Sequence, residues 1–380
     1  MRLDSSAQLD QLRDDVRTFV AEHSPGIKQH AGVRAPEAEQ IPALREFTKQ
    51  LFGAGFLGGG WPLAYGGRAD YNPAEAFVVA EELARSRTWT PIGAYHLSSA
   101  ALIDFGTTEQ KDHFLPRIRS GEDIWCQLFS EPGAGSDLAG LQTKARLDGD
   151  HWVIDGQKVW TTNGHHADLG YLLARTDPAA PKHKGITAFI LDMRAPGVDV
   201  RPLREITGTY DFNEVFLDGV RIPADRVIGE VNDGWRVANS SLGHERSGVA
   251  ASSVELVRQL DRLTELGTDA QIGKIATQVL AVQAMSESVR SHILAGTEDA
   301  ADAAAVKIAF SETNLAAVEL GVELQGRAGI LAEGDSEAVD AGWWQDAFLY
   351  ARAYTIAGGA TEVLKNVIAE RALGMPREPR

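Results

Sequence analysis

The feature that most constrains this chain is a double switch in hydrophobic period. Up to about residue 120 apolar residues recur at helical spacing, as Leu9, Leu12, Val16, Phe19 and Val20 do, and less cleanly Phe77, Ala80 and Ala84. Around Trp125 the period drops to two. In TKARLDGDHWVIDGQKVW, Thr143, Ala145 and Leu147 alternate, then Trp152 and Ile154, with Asp148-Gly149 at the bend, which is a hairpin signature. GYLLART, GITAFILDM, VDVRPL and NEVFLDGVRIP continue as short strands between turn residues. From NDGWRVANSSLG onward helical spacing returns over roughly 233–264, 270–295, 299–326 and 343–374.

The two periods bury different faces, so each stretch needs its own layer and core. The order predicts an α+β multidomain protein: an N-terminal helical domain over 1–121, a middle β-barrel or sandwich domain over 122–231, and a C-terminal four-helix bundle over 232–380. Punctuation agrees. LGGGWPLAYGGRADYNP is a loop enforced by glycine and proline, and GTTEQKDHFLPRIRSGE reads as a short capped helix ending near Gly121.

Composition narrows the function class. At 380 residues and 44% apolar the chain can bury large cores, and a net charge of −16 is the wrong sign for a nucleic-acid or anionic-membrane surface. The single cysteine, Cys126, excludes an internal disulfide framework and a multi-cysteine metal site, and reads as a buried, inert thiol. No metal site is expected. No run of about 18 apolar residues occurs, and the N-terminus has no signal-type apolar core, so no membrane span is expected and the cytoplasm is the expected compartment.

Two motifs carry chemistry. FSEPGAGSDLAG (129–140) ends a strand in a turn where Gly133 and Gly135 permit close backbone approach and Ser130 and Ser136 offer hydroxyls. WTTNG (160–164) follows about one hairpin later, with the flat face of Trp160 and the hydroxyl of Thr162. Alone, the first would be an ordinary polar turn and the second a core aromatic. Together they suit a planar cofactor with polar edges.

With DGWRVANSSLGHERSGVA and the terminal ATEVLKNVIAERALGMPR in the same order, the chain resembles the acyl-CoA dehydrogenases over nearly its whole length. Among them it is similar to the heteromeric actinobacterial members that act on steroid side-chain CoA esters. The resemblance implies FAD, an acyl-CoA substrate, removal of two hydrogens across Cα–Cβ, and electron-transferring flavoprotein as acceptor. It implies that Gln127, Leu128, Phe129, Ser130, Gly135, Ser136, Trp160, Thr161 and Thr162 line the flavin, with Thr162 near its N5 edge. Ser136, Gly243, Arg246 and Gly358 would lie on the substrate side, Ser136 and Arg246 toward the CoA portion.

Such chemistry needs a carboxylate base for the α-proton and donors for the developing enolate oxygen. Many relatives place the base in the C-terminal segment, where this chain has Gly358. The family's other location, on the helix opening the bundle, has a glutamate directly before an arginine, and Glu245-Arg246 in LGHERSGVA matches it. Trp235, Ala238, Leu242, Glu245 and Val249 are spaced by three and four, which predicts Glu245 on an apolar face and a raised pKa. A carboxylate paired with Arg246 at the core edge is the ordinary alternative.

Two departures from the family pattern matter. Homomeric members carry Arg-x-x-Phe-Gly after the first bundle helix, reaching the partner's FAD, and VRQLDRLTELGTDAQIGKIA has none. In ELQGRAG, Glu323 replaces the glutamine of the family's pyrophosphate loop and Arg327 a glycine. A carboxylate repels a pyrophosphate. A homologous sibling subunit, in an α2β2 assembly, is therefore expected to complete the FAD site. The alternatives are a non-catalytic structural subunit of such a heteromer, or a flavoprotein of the oxidase or monooxygenase kind.

Overall fold

The computed structural model describes residues 7–26, 30–89, 93–243, 248–297 and 299–377. The N-terminal helices are α1 (Ala7–His23), α2 (Ile41–Gly53), α3 (Ala74–Arg85), α4 (Tyr95–Phe105) and α5 (Thr108–Arg119). Val16 and Val20 of α1, Phe47 and Leu51 of α2, and Val79 and Leu83 of α3 share one small core. The start of α5 is fixed by a capping box: Gln110 N donates to Thr107 Oγ1 at 3.2 Å, and Thr107 N to Gln110 Oε1 at 3.1 Å. The Gln110 amide also donates to the carbonyls of Asp225 and Val227, sewing α5 to the sheet.

The middle of the chain is one eight-stranded sheet. Its strands are β1 (Trp125–Leu128), β2 (Lys144–Asp148), β3 (His151–Thr162), β4 (Leu169–Arg175), β5 (Ile186–Asp192), β6 (Val198–Leu203), β7 (Phe212–Pro223) and β8 (Val227–Ile228). They run in the order β6-β7-β3-β2-β4-β5-β8, and β1 pairs in parallel with β4. The β2–β3 hairpin closes at Asp148 and His151, so its loop is Gly149-Asp150, one residue beyond the bend expected from sequence. Gly149 has φ 64°, the left-handed conformation that a primed turn requires. Inward-facing Ile154, Phe189, Val215, Val220 and Ile222 fill the barrel-like interior, with Trp152 packed edge-on against Phe189. Cys126 is buried there beside Met193, and burial pushes its thiol up to about 12.

Helices then resume as α6 (Gly234–Gly243), α7 (Gly248–Leu266), α8 (Ala270–Ala295), α9 (Ala300–Leu324), α10 (Trp343–Tyr354) and α11 (Thr361–Val367). Leu256, Leu263, Ile275, Val279, Val318 and Trp344 form the bundle core. Two expectations are corrected. The helix expected over 343–374 breaks at 355–360, because Gly358 and Gly359 take φ values of 67° and 104°. The buried face of α6 is also offset from the one read from spacing: Gly234, Val237, Ala238 and Ser241 are buried, whereas Leu242 is 39% exposed. The reason is close approach to β5, where a Cβ on Gly234 would meet Ala188 N at 2.6 Å. Among the described residues no helix is long and apolar enough to cross a membrane.

Candidate active site

The site is assembled from three consecutive features of the β domain. β1 ends at Leu128, the chain turns through 131–136, and β3 returns alongside, its Val159 N donating to Ser130 O at 3.0 Å. Opposite β7 the register slips: Lys158 pairs with Val215 and Thr161 with Asn213. That bulge places one extra residue on β3 and reverses the strand's alternation. Trp160, which even parity with Trp152 and Ile154 would send inward, instead stands outward with φ 59° and 60% of its surface exposed. Phe212 braces its ring edge-on at 6.1 Å.

In the same strands and turn, the side chains of Gln127, Ser130, Ser136 and Thr162 form no hydrogen bond with any described residue, and none is fully buried. Gly133 and Gly135 have open space where a side chain would be. Unused donors and acceptors beside an exposed aromatic, with a turn that a ligand can approach at backbone distance, fit a flat heteroaromatic group with polar edges. Other expected members face elsewhere. Leu128 and Phe129 are buried, Phe129 packing edge-on to Tyr171, so they can offer a ligand only backbone atoms. Thr161 is fully buried; its carbonyl accepts from Asn213 Nδ2 at 2.9 Å, and its Oγ1 has no partner.

Beneath the turn lies a pair that sequence reasoning missed. Lys158, 0% exposed, donates to Glu131 Oε1 at 2.8 Å and to Phe129 O at 3.0 Å. The Glu131 carboxylate also accepts from Gln142 N at 2.6 Å and Thr143 N at 2.9 Å. Burial lowers the Lys158 ammonium to about 8 against the upward pull of Glu131. Burial alone would raise Glu131, but Lys158 and the donors at 142 and 143 hold it below the usual carboxylate value. The sequence signal existed: a lysine at an inward position of a strand, with a glutamate in the turn upstream.

On the bundle side the picture is sparser. Gly243 ends α6 and is half-buried. Gly358 is exposed in the turn after α10, and Lys307 Nζ of α9 donates to its neighbour Gly359 O at 2.5 Å. Glu245 and Arg246 lie outside the described residues. Glu323, near the end of α9, and Arg327 just beyond it are exposed and make no ion pair with any described residue.

Comparison with known proteins decides the family. Acyl-CoA dehydrogenase N-terminal, middle and C-terminal domains match residues 6–122, 126–220 and 267–373. The chain belongs to the acyl-CoA dehydrogenase family. Acyl-CoA dehydrogenase IpdE1 of Mycobacterium tuberculosis is 37% identical over 98% of this chain and 99% of its own length. Acyl-CoA dehydrogenase FadE34 of the same organism is 40% identical over 92% of this chain, which spans only 50% of that longer protein. Among solved structures, the Tcur3481-Tcur3483 steroid ACAD superposes with a TM-score of 0.88 at 32% identity, covering 100% of both chains. The ChsE4-ChsE5 complex of Mycobacterium tuberculosis gives 0.83 at 29% identity, over 99% of this chain and 100% of that one. As an acyl-CoA dehydrogenase, this protein is an FAD-dependent oxidoreductase acting on acyl-CoA thioesters, similar to the actinobacterial steroid-type members.

Proposed function

We propose that this chain is the base-carrying subunit of a heteromeric acyl-CoA dehydrogenase that desaturates a bulky, steroid-type acyl-CoA at Cα–Cβ. The observation that carries the flavin reading is Trp160, held outward by a bulge, together with Gln127, Ser130, Ser136 and Thr162, whose side chains have no hydrogen-bond partner among the described residues. Bound there, FAD supplies the acceptor for the β-hydrogen as hydride. Thr162 would offer its hydroxyl to the flavin near N5, Ser136 would face the CoA arm, and Trp160 would line the flavin. Glu245 takes the α-proton onto its carboxylate, and Arg246 binds the CoA portion. Gly358, which carries no side chain, leaves room on the substrate side.

A heteromer is supported by Glu323 and Arg327, whose exposed charges stand where a homomer would lend neutral donors to its neighbour's pyrophosphate. It is supported too by the two-component names of the steroid ACAD and the ChsE4-ChsE5 complex. Electron-transferring flavoprotein is the expected acceptor. Glu245→Gln tests the base: flavin and ligand are retained, while turnover falls by about 10²-fold or more. Wild-type turnover in that variant returns the search to another carboxylate. Co-expression with a neighbouring homologous gene tests the assembly, and full FAD occupancy of the lone chain overturns it.

A further inference from the structure

We infer that the buried Lys158–Glu131 pair is a positioning device that sets the flavin-facing edge of the β domain. The two groups of residues that present the site come from separate strands. Residues 127–130 leave β1, residues 160–162 end β3, and between them only one backbone hydrogen bond, Val159 N to Ser130 O, crosses near the turn. The Lys158 ammonium supplies the missing link. It stands two residues before Trp160 and grips the chain at Phe129 O, one residue before Ser130.

Glu131 extends the grip. Its main chain forms a two-way bridge with Ala134, N to O at 3.1 Å and O to N at 3.0 Å, which shapes the turn carrying Gly133 and leading to Ser136. Its carboxylate receives Gln142 N and Thr143 N, anchoring the chain as it enters β2. Arg175 completes the far side by donating to the carbonyls of Ala139 at 2.6 Å and Leu141 at 3.1 Å. One cation and one anion, both buried, thus define the separation of Ser130, Ser136 and Trp160.

Such a pair is a poor device for stability alone, since desolvating two charges costs about as much as their attraction returns. What it supplies is geometry: an ammonium accepts only a narrow set of acceptor positions once water is excluded. A site held about 1 Å too loosely loses much of its affinity and rate.

The inference rests on the flavin lying against 127–136 and 160–162, and the experiment separates the two claims. The protein is purified as it assembles, stripped of flavin, and titrated with FAD while far-UV circular dichroism and the visible flavin spectrum are recorded. Glu131→Gln is the milder variant, because a lysine already held low can shed its proton when the carboxylate is gone. Lys158→Met and the double variant complete a cycle, with Trp160→Leu and Thr162→Val as controls at the face itself. The expected result is native circular dichroism with FAD affinity weakened about tenfold or more. The double variant should be no worse than the worse single, as for one shared device.

Control variants that shift the spectrum while folded pair variants bind FAD within about twofold of wild type overturn the positioning role alone. Controls and pair variants that all leave affinity and spectrum unchanged overturn the flavin placement. If no pair variant folds, the pair is a stability element and the inference fails.

Discussion

At the scale of single residues, the candidate site separates side chains engaged in the fold from side chains without a hydrogen-bond partner among the described residues. Thr161 is fully buried and its carbonyl is engaged by Asn213, whereas the Thr162 hydroxyl has no partner among the described residues. Thr162→Val keeps the shape and removes only that hydroxyl. Stability should therefore change by no more than about 0.5 kcal/mol, with the visible flavin bands shifted and turnover reduced. A melting temperature that falls as far as turnover does would place Thr162 in the fold instead. Trp160 shows why such residues are only partly legible in sequence. Its type and neighbours pointed to a cofactor, yet strand parity alone would have buried it, and the bulge that turns it outward is a property of pairing with β7. Lys158 was overlooked for the opposite reason. The inward lysine and the glutamate in the upstream turn are both visible, but nothing local pairs two residues 27 apart.

Among elements, α6 delivers the start of the bundle to the β domain, and its placement depends on the absence of side chains. At Gly234 an added Cβ would lie 2.6 Å from Ala188 N and 2.6 Å from the Thr187 carbonyl carbon, both backbone atoms of β5. Backbone cannot rotate away as a side chain can, so Gly234→Ala should force α6 off the sheet at a cost of about 1–3 kcal/mol. Denaturant unfolding measures this, and an unchanged midpoint would show that α6 has slack. The same contact explains the offset of the buried face. Spacing alone favoured Trp235, Ala238 and Leu242, but the helix sets Gly234 against β5, buries Val237, Ala238 and Ser241, and leaves Leu242 open. Long periodic segments such as 270–295 were legible because period and length agree. The break at 355–360 was not, because glycine can continue a helix or leave it, and only the structure shows Gly358 and Gly359 at positive φ.

Across the whole molecule, one buried arginine joins all three regions. Arg34 precedes α2, and it donates to Asp211 Oδ2 at 3.1 Å just before β7 and to Asp346 Oδ1 at 2.6 Å in α10. Its guanidinium also lies 4.7 Å over the Tyr350 ring. These partners are 177 and 312 residues away, beyond the reach of any local pattern. The network backs the candidate site, since Asn163 N donates to Asp211 O. Arg34→Met would leave Asp211 without its arginine and Asp346 with only His30, and removing one partner of a buried ionic group typically costs about 3–5 kcal/mol. Loss of cooperative unfolding between the β domain and the bundle, read by calorimetry, is the expected sign, and a single unshifted transition would contradict it.

The same network fixes how stability should depend on pH. Burial alone would raise the Asp346 carboxyl, but His30, 3.7 Å away, and Arg34 hold it below the ordinary range. His30 is correspondingly raised by Asp346, against the lowering effect of its partial burial. A depressed carboxylate stabilises fully above its unfolded pKa, about 3.9 for aspartate, and that contribution is lost as pH falls through its folded value. A raised histidine stabilises fully below its unfolded pKa, about 6.5, and its contribution is lost as pH rises through the folded one. The two limbs leave a window between about pH 4 and 6.5 in which both contributions are present. Glu205 titrates nearby, raised by burial and by Asp211, so a raw stability curve mixes several groups. The difference between wild type and Asp346→Asn isolates the pair. Melting temperatures of the two proteins should differ most inside that window, with the gap closing on the acid side as Asp346 is protonated. It should close partway on the neutral side as His30 loses its proton, because Arg34 stays charged and keeps its share. A gap that stays constant from about pH 3 to 8 would mean that Asp346 acts through packing and not through charge.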